Sequence, residues 1–201
     1  MSKHILPAFH TPLANYRWPQ SDAHNQELQG HILTLEENDG GVVRSNVGGW
    51  HSGSNFFDDD SDCIRKLREQ LLAFVDQLTE QVCGRECTLG LAPEISGWAN
   101  VLREGQYNSP HSHPNAMWSG VYYVTENPAI DGHPFSGKLE LMDPRPGASI
   151  QYQDNNKLYG RFLLSPVAGQ MIIFPSWLVH HVHPYFGSDA RISIAFNVCY
   201  A

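Results

Sequence analysis

Arg191-Ile192-Ser193-Ile194-Ala195-Phe196-Asn197-Val198 alternates strictly between two kinds of side chain. A β-strand sends successive side chains to opposite faces, so Ile192, Ile194, Phe196 and Val198 share one face and Arg191, Ser193, Ala195 and Asn197 the other. The first face is apolar and can receive helices. The second is small and polar apart from Arg191, which inverts the usual expectation for a solvent face. It suits the wall of a barrel cavity holding a charged ligand, although an ordinary half-exposed strand would show the same alternation.

Working back from this strand, the chain beyond Thr88 consists of short strand-like runs separated by Gly, Pro and Asn. They are expected near Ile95–Arg103, Trp118–Val124, Lys138–Met142, Arg161–Leu164 and Gln170–Phe174. That spacing reads as an all-β sandwich or barrel. Before Thr88 the period changes to that of helices. Leu28, Ile32 and Leu35 predict one helix between Asp22 and Asn38, ended by Gly40-Gly41. A stronger stripe, Ile64, Leu67, Leu71, Val75, Leu78 and Val82, predicts a second from Asp62 to Val82, with Ser61 or Asp62 available as N-cap. The segment Ser45 to Ser52 between them, rich in Gly and Ser, reads as irregular structure or a short edge strand. A chain of 201 residues, 41% hydrophobic, can bury one substantial core. Residues 1–201 are therefore expected to form a single domain, with a helical part, 1–87, packing on a β core, 88–201.

Twenty-one acidic residues against 13 basic ones leave a formal charge of −8. This argues against a surface built to neutralise phosphates, so nucleic acid is not an expected partner. No stretch approaches the roughly 20 apolar residues of a membrane span, and Met1 to Pro7 has too short an apolar run for a signal peptide. A soluble, cytoplasmic protein is expected. Cys63, Cys83, Cys87 and Cys199 are too scattered for a disulfide framework. Cys83 and Cys87 are spaced like half a zinc site, but no second Cys pair follows, and idle thiols explain them better.

The histidines are the chemical signal. Eleven are present, and five fall into two groups, His111 with His113, and His180 with His181 and His183. A His-x-His pair on an extended segment carries both imidazoles on one face, about 6–7 Å apart along the backbone, close enough to converge on one ion. A third ligand from a distant strand would leave open coordination positions, which a catalytic metal needs. Histidines in polar turns are the competing explanation, and the surroundings decide between them.

Those surroundings are His111-Ser-His113-Pro-Asn-Ala-Met-Trp-Ser-Gly-Val-Tyr-Tyr-Val124, then Gly169-Gln-Met-Ile-Ile-Phe-Pro-Ser-Trp-Leu-Val-His180-His-Val-His-Pro184, then Arg191-Ile-Ser193. From Trp98 to Tyr200 the chain resembles the 2-oxoglutarate/Fe(II) oxygenase superfamily. It looks in particular like a group of bacterial oxygenases of unassigned substrate with a prolyl-hydroxylase-like core. The segment Ser45 to Ser52 fits the narrower group as well.

The resemblance implies a double-stranded β-helix, or jelly roll, with the N-terminal helices packed on the outer face of one sheet. It makes His111, His113 and His180 the metal ligands of an Fe(II) centre. Arg191 and Ser193 would bind the distal carboxylate of the co-substrate 2-oxoglutarate, and a guanidinium suits that task because its planar fork bonds both oxygens. Tyr123, the second of a Tyr-Tyr pair, would donate its hydroxyl to the same carboxylate. The implied reaction couples decarboxylation of 2-oxoglutarate to hydroxylation of a C–H bond in a small molecule or protein side chain. The loops 125–136 and 144–158 would be lids over that substrate.

Position 113 departs from the wider superfamily, which has a carboxylate there. A neutral nitrogen leaves the site one unit more positive, and three imidazoles also suit zinc. Asp131 or Glu140 could supply a carboxylate instead, although neither lies at the motif position. His181 is expected to face away from His180, and His51, His133 and His183 read as loop or surface residues. The rival functions are a cupin-like three-histidine metalloenzyme and a metal-dependent dicarboxylate-binding module, neither turning over 2-oxoglutarate; a structural barrel with incidental histidines would bind no stoichiometric metal. An uncovered barrel edge or an apolar helix could support a homodimer.

Overall fold

A computed structural model describes residues 8–148, 154–155 and 160–201. In chain order its elements are β1 (Ala14–Arg17), α1 (Asp22–Asn38), β2 (Asn46–Val47), β3 (Trp50–His51), α2 (Asp62–Cys83), β4 (Pro93–Leu102), β5 (Tyr107–His111), β6 (Trp118–Tyr123), β7 (Leu139–Met142), β8 (Arg161–Leu164), β9 (Gln170–Pro175), β10 (His180–Val182) and β11 (Arg191–Tyr200). They form two antiparallel sheets. The larger runs β1-β9-β6-β11-β4-β3 and the smaller β2-β5-β10-β7-β8. This is the expected double-stranded β-helix with helices on one face.

The alternation in β11 organises the larger sheet. Ile192, Ile194, Phe196 and Val198 join Leu28 and Ile32 of α1 and Ile64, Leu67, Leu71, Val75 and Leu78 of α2 in one buried cluster. The α2 stripe is apolar every three or four residues, so this face must be covered, and the sheet covers it. Gly120, opposite Phe196 in the β6–β11 register, makes room for that ring: a Cβ there would lie 2.4 Å from Phe196 Cζ. Polar ties add direction to the packing. Tyr122 donates its hydroxyl to Asn25 Oδ1 at 2.6 Å, and Trp118 donates its indole N–H to Thr79 Oγ1 at 2.9 Å. Ser61 takes the N-cap position of α2 in extended conformation, but its side chain makes no capping hydrogen bond.

The opposite faces of the two sheets meet around a smaller cluster of Tyr123, Leu139, Leu141, Ile172, Phe174 and Leu178. This inner cluster fills only part of the space, and the remainder is the cavity described below. Three strands were not anticipated: β1, β5 and β10. β5 contains Pro110, which removes a backbone donor and disguises a strand, and β10 is only three residues long. The irregular segment Ser45 to Ser52 contains the two-residue strands β2 and β3. Of the proposed lids, 125–136 is described, whereas 149–153 and 156–158 of the second lie outside the described residues, as does Met1 to Pro7. Among the described residues no helix is long and apolar enough to cross a membrane.

Candidate metal centre

His111 closes β5 and His180 opens β10, and the two stand opposite each other in the antiparallel pair. Their ring centroids are 4.4 Å apart. His113 lies just beyond the end of β5, where its backbone N–H donates to Ser176 O at 2.9 Å. Its ring sits 4.9 Å from that of His111 and 5.1 Å from that of His180. One ring nitrogen from each residue falls within 4.8 Å of the other two.

The tautomers are set by backbone carbonyls. His111 donates Nδ1–H to Ser109 O at 2.7 Å, and His180 donates Nδ1–H to Leu178 O at 2.9 Å. Each therefore presents an unprotonated Nε2 as donor atom, the arrangement that metal-bound imidazoles commonly use. Burial holds all three rings neutral: it lowers the pKa of His111, takes His113 down to about 4 and His180 down to about 3. No proton has to leave these nitrogens near neutral pH before a cation binds.

At the other end of the same cavity lies Arg191, 1% exposed. Its Nε–H donates to Gly137 O at 3.1 Å and its Nη1 to Ser193 Oγ at 3.3 Å, and its guanidinium sits 5.5 Å from the centre of the Tyr123 ring. The Gly137 carbonyl is placed by a left-handed turn, φ 60°, where a Cβ would meet Asn127 and Tyr185. Desolvation lowers the Arg191 pKa, yet a guanidinium stays protonated in proteins. No carboxylate among the described residues pairs with it. The Tyr123 hydroxyl and Asn100 Oδ1, which line the same cavity, are buried without a hydrogen-bond partner. Burial pushes the Tyr123 phenol up to about 12, so it remains a donor.

A buried cation without an anion and a buried O–H without an acceptor are each costly. One ligand carboxylate would satisfy both. The donor set at the other end, three neutral nitrogens, suits a divalent transition metal. The cavity thus fits a metal at one end and an anionic group at the other. His111, His113, His180, Arg191, Ser193 and Tyr123 all line it.

Other candidates fall elsewhere. Asp131 is exposed in its loop, and Glu140 points to the outer face of the smaller sheet, so neither reaches the three histidines. His133 stacks on Phe186, centroids 3.9 Å apart. Cys83 and Cys87 are exposed and belong to no metal-ligand cluster among the described residues. His51 overturns its reading as a solvated loop residue: it is 5% exposed, stacks on Trp98 at 5.3 Å, and Trp98 in turn contacts the His113 ring at 5.3 Å. The neighbouring Trp50 was the available hint, but the sheet partner that buries His51, β4, is nearly fifty residues away. Ser45, whose Oγ lies 3.5 Å from His111 Nε2, and Asn100 were likewise not singled out.

Residues 96–197, just over half of the chain, match the family model described as "Putative 2OG-Fe(II) oxygenase". The chain belongs to that family. Its cofactors are accordingly Fe(II) and 2-oxoglutarate. Among solved structures, this oxygenase-family chain is similar to a Pseudomonas putida prolyl-4-hydroxylase, at 16% identity and TM-score 0.62, covering 94% of this chain and 92% of the other. A viral collagen prolyl hydroxylase from Paramecium Bursaria Chlorella virus-1 gives 12% identity and TM-score 0.61, covering 94% and 96%. The α-ketoglutarate-dependent epimerase SnoN of nogalamycin biosynthesis gives 13% and 0.68, covering 94% and 78%. At these identities the likeness is one of fold. No curated protein matches the chain in sequence.

Proposed function

We propose that this chain is an Fe(II)- and 2-oxoglutarate-dependent dioxygenase that hydroxylates a C–H bond, with His111, His113 and His180 as its iron ligands. Arg191, Ser193 and Tyr123 then hold the distal carboxylate of 2-oxoglutarate. The observation that carries the reading is the guanidinium of Arg191, buried in the cavity that the three imidazoles enter and lacking a carboxylate of its own.

Bound Fe(II) with 2-oxoglutarate supplies the oxidising chemistry, driven by decarboxylation of the co-substrate. The chain's residues do the rest. The carbonyls of Ser109 and Leu178 orient the imidazoles of His111 and His180. Arg191 fixes the co-substrate by its far end, so that the 2-oxo acid end points toward the histidines. Phe174, packed edge-on against His180 at 4.7 Å, and Trp98 beside His113 keep water from the ligands' flanks. With three neutral ligands the centre carries one positive charge more than a site with a carboxylate at position 113. Such a site favours an anionic chelating ligand more strongly and holds a bare divalent cation less firmly.

In this reading 1–87 and 88–201 act as one cytoplasmic domain, the helical part backing the sheet that carries Arg191, and a small molecule or a protein side chain is the substrate. The loop 125–136 would cover it. The ligand set itself favours a second reading, a cupin-like three-histidine metalloenzyme without 2-oxoglutarate. Its weakness is that it leaves Arg191 without an anion. Oxygen-dependent formation of succinate from 2-oxoglutarate by the iron-loaded protein, lost in His180→Ala, separates them. Iron-loaded protein that forms no succinate and binds no 2-oxoglutarate would favour the cupin-like reading.

A further inference from the structure

The smaller sheet carries a second histidine cluster on its outer face. Because side chains alternate along a strand, His180 faces the cavity and His181 and His183 face outward. On the neighbouring strand Leu139 and Leu141 enter the inner core, and Glu140, in register with His181, faces outward too. His183 Nε2 lies 2.8 Å and His181 Nε2 3.5 Å from the same atom, Glu140 Oε2. The two imidazole centroids are 4.6 Å apart, and one ligand atom from each of the three residues lies within 4.8 Å of the others. Glu140 is only 5% exposed, and the Phe135 ring stacks on His183 at 5.3 Å, so the carboxylate is screened from solvent.

We propose that Glu140, His181 and His183 form a second divalent-metal site, suited to Zn2+, on the outer wall of the barrel. The ligand set is two imidazoles and a carboxylate, which leaves a fourth tetrahedral position for water or an exogenous ligand. Zinc bonds of about 2.0–2.2 Å place ligand atoms roughly 3.3–3.6 Å apart in a tetrahedron. His181 Nε2 and Glu140 Oε2 already have that separation, and His183 needs to withdraw by under about 1 Å. His181 lies on β10 and Glu140 on its hydrogen-bonded neighbour β7, while His183 follows one residue beyond the end of β10, where its backbone N–H still donates to Lys138 O at 3.0 Å, so the sheet and this added bond fix the three positions.

Arg161 also approaches Glu140 Oε2, at 3.4 Å through Nη1, but its Nε lies closer to Asp154, at 2.8 Å. Asp154 retains the guanidinium when a cation takes Glu140, and the two carboxylates together offset the added charge. The inner cavity uses none of these three ligands, so the outer site stands independently of the function proposed above.

Zn2+ titration of the metal-stripped full chain, read calorimetrically and by elemental analysis after gel filtration, tests the site. Two equivalents are expected in the natural protein, one in His181→Gln/His183→Gln, and one in His111→Ala/His113→Ala. Glu140→Gln, which keeps shape and hydrogen bonding, is expected to weaken the outer site at least tenfold, a control should the double variant misfold. An unchanged Zn2+ stoichiometry in the folded His181→Gln/His183→Gln protein overturns the proposal. A single equivalent in the natural protein that disappears in this variant and persists in His111→Ala/His113→Ala supports the outer site and counts instead against the inner ligand set.

Discussion

His180 faces His111 across the β5–β10 pair, and each ring donates its Nδ1–H to the carbonyl two residues before it, Leu178 O and Ser109 O. The same local device on two strands turns both Nε2 atoms to one point. His111→Ala or His180→Ala is therefore expected to lower Fe(II) affinity by at least about 100-fold, more than the 10–100-fold typical of losing an orienting partner. Competition with a metal indicator dye measures this, and circular dichroism should show the sheets retained. Iron affinity within a fewfold of the natural protein would exclude the residue as a ligand.

On the proposed function Arg191 is a charge buried for a ligand, so its removal should separate stability from binding. Arg191→Met is expected to leave the ligand-free protein as stable as before or more stable, because an uncompensated buried charge is replaced by an apolar side chain of similar reach. The same variant should lose the rise in melting temperature that 2-oxoglutarate gives the metal-loaded protein through preferential binding to the folded state. Arg191→Lys should restore part of it, since an ammonium cannot form the bidentate fork. A strongly destabilised Arg191→Met protein would assign Arg191 a structural role.

The neutral histidines set an acid limit on the metal-free fold. Their folded pKa values lie below the ordinary 6.5, at about 4 for His113 and about 3 for His180, because burial disfavours the charged ring. The unfolded chain therefore binds protons that the folded chain does not, and stability falls as pH drops below 6.5 toward those values. Each ring contributes a slope of up to about 1.4 kcal/mol per pH unit inside its window. Urea midpoints of metal-free protein should decline from about pH 7 to about pH 5, and less steeply in His180→Asn. A midpoint that is flat or rises on acidification would contradict this. Asp59 and Asp143, whose pKa values are lowered from 3.8, act further into acid.

The helix-covered face of the larger sheet should dominate global stability. Phe196→Ala, in the cluster shared by β11, α1 and α2, is expected to cost about 3–5 kcal/mol. Tyr122→Phe, which leaves buried Asn25 without the hydroxyl that donates to it, should cost about 1–3 kcal/mol. Denaturant titration reports both, and losses under about 1 kcal/mol would show that the helices contribute little to the core.

Much of this was legible where the sequence carries a long period. The stripe of α2 and the alternation of β11 are each long enough to specify an element and its buried face, and β11 also located Arg191 in the cavity. The His-x-His spacing, together with the family resemblance that singled out His180, named three residues that converge. What stayed hidden depends on partners remote in sequence. β5 carries a proline, β10 is three residues long, and both exist as strands only because they pair between β2 and β7, neighbours remote in sequence. His51 looks solvated until Trp98 stacks on it, and nothing local to Glu140 announces that two histidines more than forty residues away share its face.

On the proposed function three histidines and Arg191 hold iron and 2-oxoglutarate in one cavity. The most direct measurement is an oxygen-free titration of the Fe(II)-loaded protein with 2-oxoglutarate, followed in the visible spectrum. A weak absorption band that requires both iron and 2-oxoglutarate, and is lost in His180→Ala and in Arg191→Ala, is the predicted result. Stoichiometric metal bound through His111, His113 and His180 with no spectral response to 2-oxoglutarate would contradict it.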